Sequence, residues 1–288
     1  MAVDLHIHSI ASSDGEFTAR EIVEKAIKLN LETIAIADHE TVKSVQEGVC
    51  WGEKRGVEVI PACEIVAKHG GETLHILGYY IDVQDQGLLA LFEKVDAARW
   101  RVVDLQIAKL REAGFYLDKE KVMEECNYTI PVGGSFVNVV FADPRNKENP
   151  LIKEYREKEN CVVRFLFDYL NVGKPLYVPQ YVPEAIDVLR IIKGSGGIPI
   201  LAHPGSNLTP EQTGIIDDLL NYGLKGLEVY TSHHHEQQEK YYFDYCQEKK
   251  LLYTCGSDFH GRFKPTVKMG EIRNNSYKIV DNLKRVKK

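Results

Sequence analysis

The chain has no excess of positive charge, no paired-cysteine framework and no long apolar run. Each absence closes a class of function. The formal net charge is −6. Binding of long nucleic acid by bulk electrostatics needs a basic surface, so that partner is not expected. A mononucleotide or short oligonucleotide stays open, because bound cations reverse the charge locally. No segment approaches the ~20 apolar residues of a membrane span. The opening residues MAVDLHIH enter a strand pattern at once, so no signal peptide is expected. The six cysteines are Cys50, Cys63, Cys126, Cys161, Cys246 and Cys255, with no CxxC pair among them. They read as reduced thiols of a cytoplasmic protein. There is no internal repeat, low-complexity tract or flexible linker.

What is present is alternation. The 288 residues suffice for one large domain, or one domain with an insertion. VDLHIHS reads as a strand. TAREIVEKAIKLN reads as an amphipathic helix, with Thr18 and Glu21 in capping-box spacing. TIAIADH is a short β-branched run, and Thr41 is placed to cap the helix in VKSVQEGVCWGEKRG. VEVIPACEIVAKH and ETLHILGYYI, separated by Gly70 and Gly71, predict a hairpin. A long helix is expected from about Gln86 to Glu112. Helix-then-strand pairs return in PEAIDVLRIIKGSGG–IPILAHPG, TPEQTGIIDDLLNYG–GLEVYTS and EQQEKYYFDYCQEKK–LLYTCGSDFHG. YKIVDNLKRVKK closes the chain as a basic amphipathic helix, expected to dock on the rest.

Strand candidates begin near residues 3, 33, 57, 73, 198, 226 and 252. Strands alternating with helices imply an α/β fold with a largely parallel sheet, close to a closed barrel. Between about Leu117 and Val182 the alternation stops, and the segment is helical or irregular. It is expected to be an inserted cap subdomain, 117–182, leaving 1–116 and 183–288 as the barrel.

Nine metal-type side chains stand in or at the ends of these runs: His6, His8, Asp14, His39, Glu64, His75, His203, Asp258 and His260. His6 and His8, at i and i+2 on a strand, face the same side and can form a bidentate site. Asp258 and His260 repeat that spacing in GSDFHG, between two glycines that permit close packing. Of Asp38 and His39, either can ligate while the other orients a ring. Glu64 follows the apolar run VEVIPAC, where an unpartnered carboxylate is costly and a cation is a good partner. His75 lies inside an apolar run, and His203 ends PILA before a Pro-Gly stop. Nine donors exceed what one zinc needs and suit two or three ions.

The set DLHIHS, SDG, ADH, CE, LHILGY, LAHP, LEVY and GSDFHG resembles the PHP (polymerase and histidinol phosphatase) family. It is most similar to that family's stand-alone phosphoesterases of mononucleotides and nucleoside bisphosphates. The likeness covers almost the whole chain. It implies a distorted (β/α)7 barrel and a site of two or three divalent or trivalent ions: manganese, zinc or iron. By motif, His6, His8, Glu64 and Asp258 would hold one ion. Glu64 would bridge to a second, completed by His75 and His203. Asp14, His39 and His260 would hold a third, altered where family members carry histidine in place of Asp14.

The resemblance implies hydrolysis of a nucleoside monophosphate or 3′,5′-bisphosphate by a metal-activated water. Histidinol phosphate, 5′–3′ attack on short RNA, or a non-catalytic metal-binding module are the alternatives. His234, after LEVY, is expected as general acid and substrate contact, with His233 and His235 adjacent in register. Arg99, before Arg101, suits a phosphate. The insertion departs from the family: VGGSFVN (Val132 to Asn138) lacks the Arg and His of a Gly-Arg-Pro-His segment.

Overall fold

The computed structural model describes residues 2–12, 14–126 and 130–287. Ser13 of the loop SIASSDGEF and residues 127–129 of EECNYTIPVGGSFVN lie outside the described residues. The chain divides into two compact units, Met1–Phe92 with Val182–Lys288, and Glu93–Tyr181.

The first unit is built on strands β1 (Ala2–Ile7), β2 (Leu31–Ile36), β3 (Glu58–His69), β4 (Glu72–Tyr79), β5 (Ile198–Leu201), β6 (Gly226–Thr231) and β7 (Leu252–Gly256). They form one seven-stranded sheet in chain order. All neighbours are parallel except β3–β4 and β4–β5, so β4 alone runs backwards. The reversal is local chemistry. Gly70 and Gly71 take φ of 59° and 89°, a region that side chains with a Cβ avoid. The hairpin expected between the two runs therefore forms. Its consequence is positional: β4 starts where its neighbours end. Ala202 N–H donates to His75 O at 2.9 Å, so His75 stands level with the residues just beyond β5. The segment after β7 also bonds to β1, with Asp258 N–H to His6 O at 2.8 Å and His8 N–H to Phe259 O at 2.9 Å.

Helices fill the crossovers. α1 (Ala19–Lys28) has both halves of its capping box: Thr18 Oγ1 accepts from Glu21 N–H, and Glu21 accepts from Thr18 N–H. Its buried Ala19, Ile22, Val23 and Ala26 repeat at helical spacing and pack on Ile34, Ile36 and Val59. α2 (Val45–Arg55) corrects an expectation. Thr41 does not cap it, because residues 43–44 form a turn ahead of the helix and Thr41 Oγ1 accepts from Lys43 N–H instead. Ser44, next to the helix, makes no cap bond and donates its hydroxyl to Asp38.

α3 (Gln86–Glu112) matches its expected span. The second unit nevertheless begins at Glu93 rather than near residue 117. The reason is packing: Val103, Ile107 and Leu110 of α3 belong to that unit's own core. The rest of that core hangs on α4 (Lys119–Glu125), α5 (Gly133–Ala142), α6 (Pro150–Arg156) and α7 (Cys161–Phe165), around Phe136, Val140, Ile152 and Phe165.

The first unit resumes with α8 (Ala185–Gly194), α9 (Pro204–Asn207), α10 (Thr213–Asn221) and α11 (Glu236–Lys249), and ends with α12 (Lys278–Lys287). α12 docks as its amphipathic pattern predicts. Ile279, Val280 and Leu283 join the cluster of Val3, Leu5, Ile60, Leu77 and Ile200 on the sheet. No helix among the described residues is long and apolar enough to cross a membrane.

Candidate metal centre

The expected donors meet where β1, β2, β5 and β7 end and β3 and β4 cross the same level. His6 Nε2, His8 Nε2, Glu64 Oε2 and Asp258 Oδ1 form a compact group. His6 Nε2 lies 3.2 Å from His8 Nε2, 3.2 Å from Glu64 Oε2 and 3.4 Å from Asp258 Oδ1. His8 Nε2 lies 3.2 Å from Glu64 Oε2 and 3.1 Å from Asp258 Oδ1. A regular tetrahedron with edges of about 3.3 Å has its centre about 2.0 Å from each corner, the length of a zinc–imidazole bond. All four residues are buried.

Glu64 turns its other oxygen to a second group. Oε1 lies 2.9 Å from His75 Nδ1 and 3.2 Å from His203 Nε2. A third group surrounds Asp14. Its Oδ2 lies 3.2 Å from His260 Nε2 and 3.5 Å from His39 Nε2, and His8 Nδ1 is 4.0 Å from its Oδ1. His39 Nδ1 approaches Glu64 Oε2 at 3.3 Å, so the groups are contiguous.

The donor chemistry fits cations. Among the described residues, Nδ1 of His8, His39 and His203, Nε2 of His260, Glu64 Oε2 and Asp258 Oδ1 are buried without a hydrogen bond. More than nine in ten buried polar groups find a partner, so such a concentration calls for one. Electrostatics agree. Burial opposes charge on Glu64, yet His6, His75 and His39 hold its carboxyl well below the usual range. Asp258 is depressed against burial in the same way, by His6, His233 and His8. Burial also opposes charge on His8, but the adjacent carboxylates of Asp258 and Glu64 raise it to about 10. His6 is pushed well up against burial by Glu64, Glu228 and Asp258. His39 and His260, where burial dominates, are lowered, His39 to about 3. The cluster demands positive charge at its centre. Backbone strain gathers here too: His203 and Asp258 hold φ of 26° and 57°.

The open choice at Asp38-His39 resolves by hydrogen bonding. Asp38 accepts from Ser9 N–H at 2.6 Å, Ser9 Oγ at 2.7 Å and Ser44, leaving His39 to face the cluster. At the histidine triplet the structure departs from the expectation. His234 is buried, with Nδ1–H donating to Val229 O at 2.8 Å and Nε2 accepting from Gly205 N–H at 2.9 Å. Both its nitrogens are occupied by backbone, and burial lowers its pKa. His233 instead points Nε2 at Asp258 Oδ2, 2.5 Å away. Arg99 lies half-buried on α3 in the second unit.

Two further residues escape the sequence reasoning. Glu228 on β6 is fully buried, contacts His6 Nδ1 at 3.0 Å and accepts His203 N–H at 2.9 Å. Its signal was available, a carboxylate inside the apolar run GLEVYT. Lys264, whose Nζ lies 2.5 Å from Asp258 Oδ2, stands outside every strand pattern and gave none.

Known proteins resemble this chain. Residues 4–130 match the model of the PHP domain. The chain is 28% identical over 270 residues to the phosphoribosyl 1,2-cyclic phosphate 1,2-diphosphodiesterase of Eggerthella lenta, spanning 91% of this chain and 95% of that one. It is 26% identical over 262 residues to the 3′,5′-nucleoside bisphosphate phosphatase of Chromobacterium violaceum, spanning 90% and 87%. A solved structure from Bifidobacterium adolescentis, described as a metal-dependent phosphoesterase, superposes with a TM-score of 0.78 at 27% identity, over 98% of this chain and 94% of that one. Over residues 4–130 the chain is similar to the PHP family. The segment matched by the PHP model carries His6, His8, Asp14, His39, Glu64 and His75. His203, Asp258 and His260 reach the same cluster from beyond it.

Proposed function

We propose that this protein hydrolyses a phosphomonoester of a small nucleotide, a nucleoside monophosphate or 3′,5′-bisphosphate, with water as nucleophile. It is a hydrolase of phosphoric ester bonds, as its relatives are. The observation that carries the reading is Glu64. One buried carboxylate presents Oε2 to His6 and His8 and Oε1 to His75 and His203. A carboxylate so placed would serve two ions, one on each oxygen. His6, His8, Glu64 and Asp258 would hold one ion, and Glu64, His75 and His203 a second. Asp14, His39 and His260 would hold a third. Imidazole and carboxylate donors suit manganese, zinc and iron alike. When bound, such ions polarise phosphoryl oxygens and lower the pKa of a water toward ~7.

The chain supplies the rest. Cys63 and Cys255 are buried beside the donors, and burial pushes their thiols up, so neither offers a thiolate nucleophile. His233, against Asp258, takes the proton-donating role toward the leaving group that the resemblance assigned to His234. Arg99 remains the proposed contact for a second phosphate. We take the sheet to close as the distorted barrel of the family. Six free thiols suit a reducing compartment, here the cytoplasm. The similarity to the Eggerthella lenta enzyme favours a second reading, attack on a cyclic phosphodiester.

A panel read both by phosphate release and by chromatography of the organic products, with manganese, zinc or iron supplied, decides between them. It would contain nucleoside monophosphates, 3′,5′-bisphosphates, a ribose 1,2-cyclic phosphate, histidinol phosphate and short RNA. Turnover of the nucleotides is expected. Turnover of the cyclic phosphate alone replaces the first reading with the second. Two or more bound ions with no product from any compound removes both.

A further inference from the structure

Asp258 divides its oxygens between two sets of partners. Oδ1 faces His6, His8 and His260 at 3.4, 3.1 and 3.5 Å. Oδ2 faces His233 Nε2 and Lys264 Nζ, each at 2.5 Å. The first three side chains are no more than 1% exposed, whereas His233 is 28% and Lys264 35% exposed. The cluster thus has a dry side and an open side, and Asp258 stands on the border.

The two open-side donors come from separate segments. His233 lies in the turn between β6 and α11. Lys264 follows the short turn Gly261–Phe263. That turn is fixed by Gly261 at φ 65° and by Arg262 N–H donating to Glu16 Oε2 at 2.7 Å. Within this unit, among the described residues, Lys264 is the one lysine or arginine whose charge meets the nine-residue donor set. An ammonium has no lone pair to give a cation and repels one. Asp258 Oδ2 occupies one of its donors, and at the open edge of a cation-binding cluster the remaining N–H donors suit a second anion.

We propose that Lys264 and His233 form a subsite for phosphoryl oxygens at the open edge of Asp258, receiving the phosphate group of the ester or free inorganic phosphate. The subsite rests on the phosphoesterase reading above. Lys264 offers three rotatable N–H donors and a compact charge, and His233 offers one directed N–H. Both nitrogens converge on one oxygen, each 2.5 Å from Asp258 Oδ2, so they can reach the oxygens of one phosphate group together.

The test uses metal-loaded protein and four forms: wild type, Lys264→Met, Lys264→Arg and His233→Asn. Inorganic phosphate is the calorimetric probe, metal content is read by elemental analysis, and folding is checked by melting temperature. Lys264→Met is expected to keep its ions while binding phosphate about ten- to a hundredfold more weakly, the worth of a charge-assisted hydrogen bond. KM for an active ester should rise by a similar factor, and Lys264→Arg should recover part of both. His233→Asn should weaken phosphate as well, and serves if Lys264→Met does not fold. Phosphate affinity within twofold of wild type in Lys264→Met, with ions retained, overturns the subsite. Loss of ions from Lys264→Met also overturns it, since the lysine would then be supporting the donors. If wild type hydrolyses no ester yet Lys264→Met still loses phosphate affinity, the subsite stands and the phosphoesterase reading falls.

Discussion

Glu228 ties two donors together through one carboxylate. It accepts the ring of His6 with one oxygen and the backbone N–H of His203 with the other. A partner of this kind fixes a ligand's tautomer and orientation. Glu228→Gln should therefore retain fold but hold metal about 10–100-fold more weakly, as read by competition with a chelator. Retention unchanged from wild type would show that His6 and His203 are held by packing alone. His234 makes the opposite prediction. With both nitrogens on backbone, His234→Ala should lower stability by about 1–3 kcal/mol, seen as a lower urea midpoint. A normal midpoint with turnover lost would return His234 to the chemistry. At this scale the nine donors were legible because imidazole and carboxylate are costly in apolar runs without a partner. Glu228 obeys the same rule. Lys264 does not, because a lysine in an irregular segment is ordinarily solvated.

The elements themselves were read from periodicity and punctuation. Seven strands begin within two residues of their expected starts, and α3 spans its expected range. Thr18 and Glu21 cap α1 as their spacing requires. Thr18→Ala should cost about 1 kcal/mol, measurable by denaturant titration. Thr41 failed as a cap because Ser44 and the turn before it are recruited by Asp38, a tertiary demand that local propensity does not see. One close contact between elements is at Gly256 on β7. A Cβ there would lie 2.1 Å from His6 Cβ. Gly256→Ala should push β1 from β7, destabilise by about 1–3 kcal/mol and reduce metal retention together. Metal content at wild-type level in a soluble Gly256→Ala protein would show that the strands can separate without moving His6.

On the scale of the molecule, the first unit is held by burial across its full sequence length. Leu283, near the end of the chain, packs with Val3 and Leu5, near its start. Leu283→Ala should cost about 2–5 kcal/mol and lower the melting temperature. Metal loading should act the other way. An ion bound only by the folded state stabilises by about 2.7 kcal/mol at a hundred times its Kd, so chelation should lower the melting temperature and re-addition restore it.

The sequence by itself determined which residue types stand at the ends of apolar runs, where helices and strands begin, and that the sheet is mostly parallel. Those properties are local, set by side-chain period, capping and glycine placement. Tertiary structure alone decided how the donors are shared. His233 displaces His234, and Lys264 joins His233 on Asp258. Each of these depends on distances between segments far apart in the chain, as with His6 and Glu228. Strand alternation fixes the face a side chain takes. Only the packed sheet fixes what it meets there.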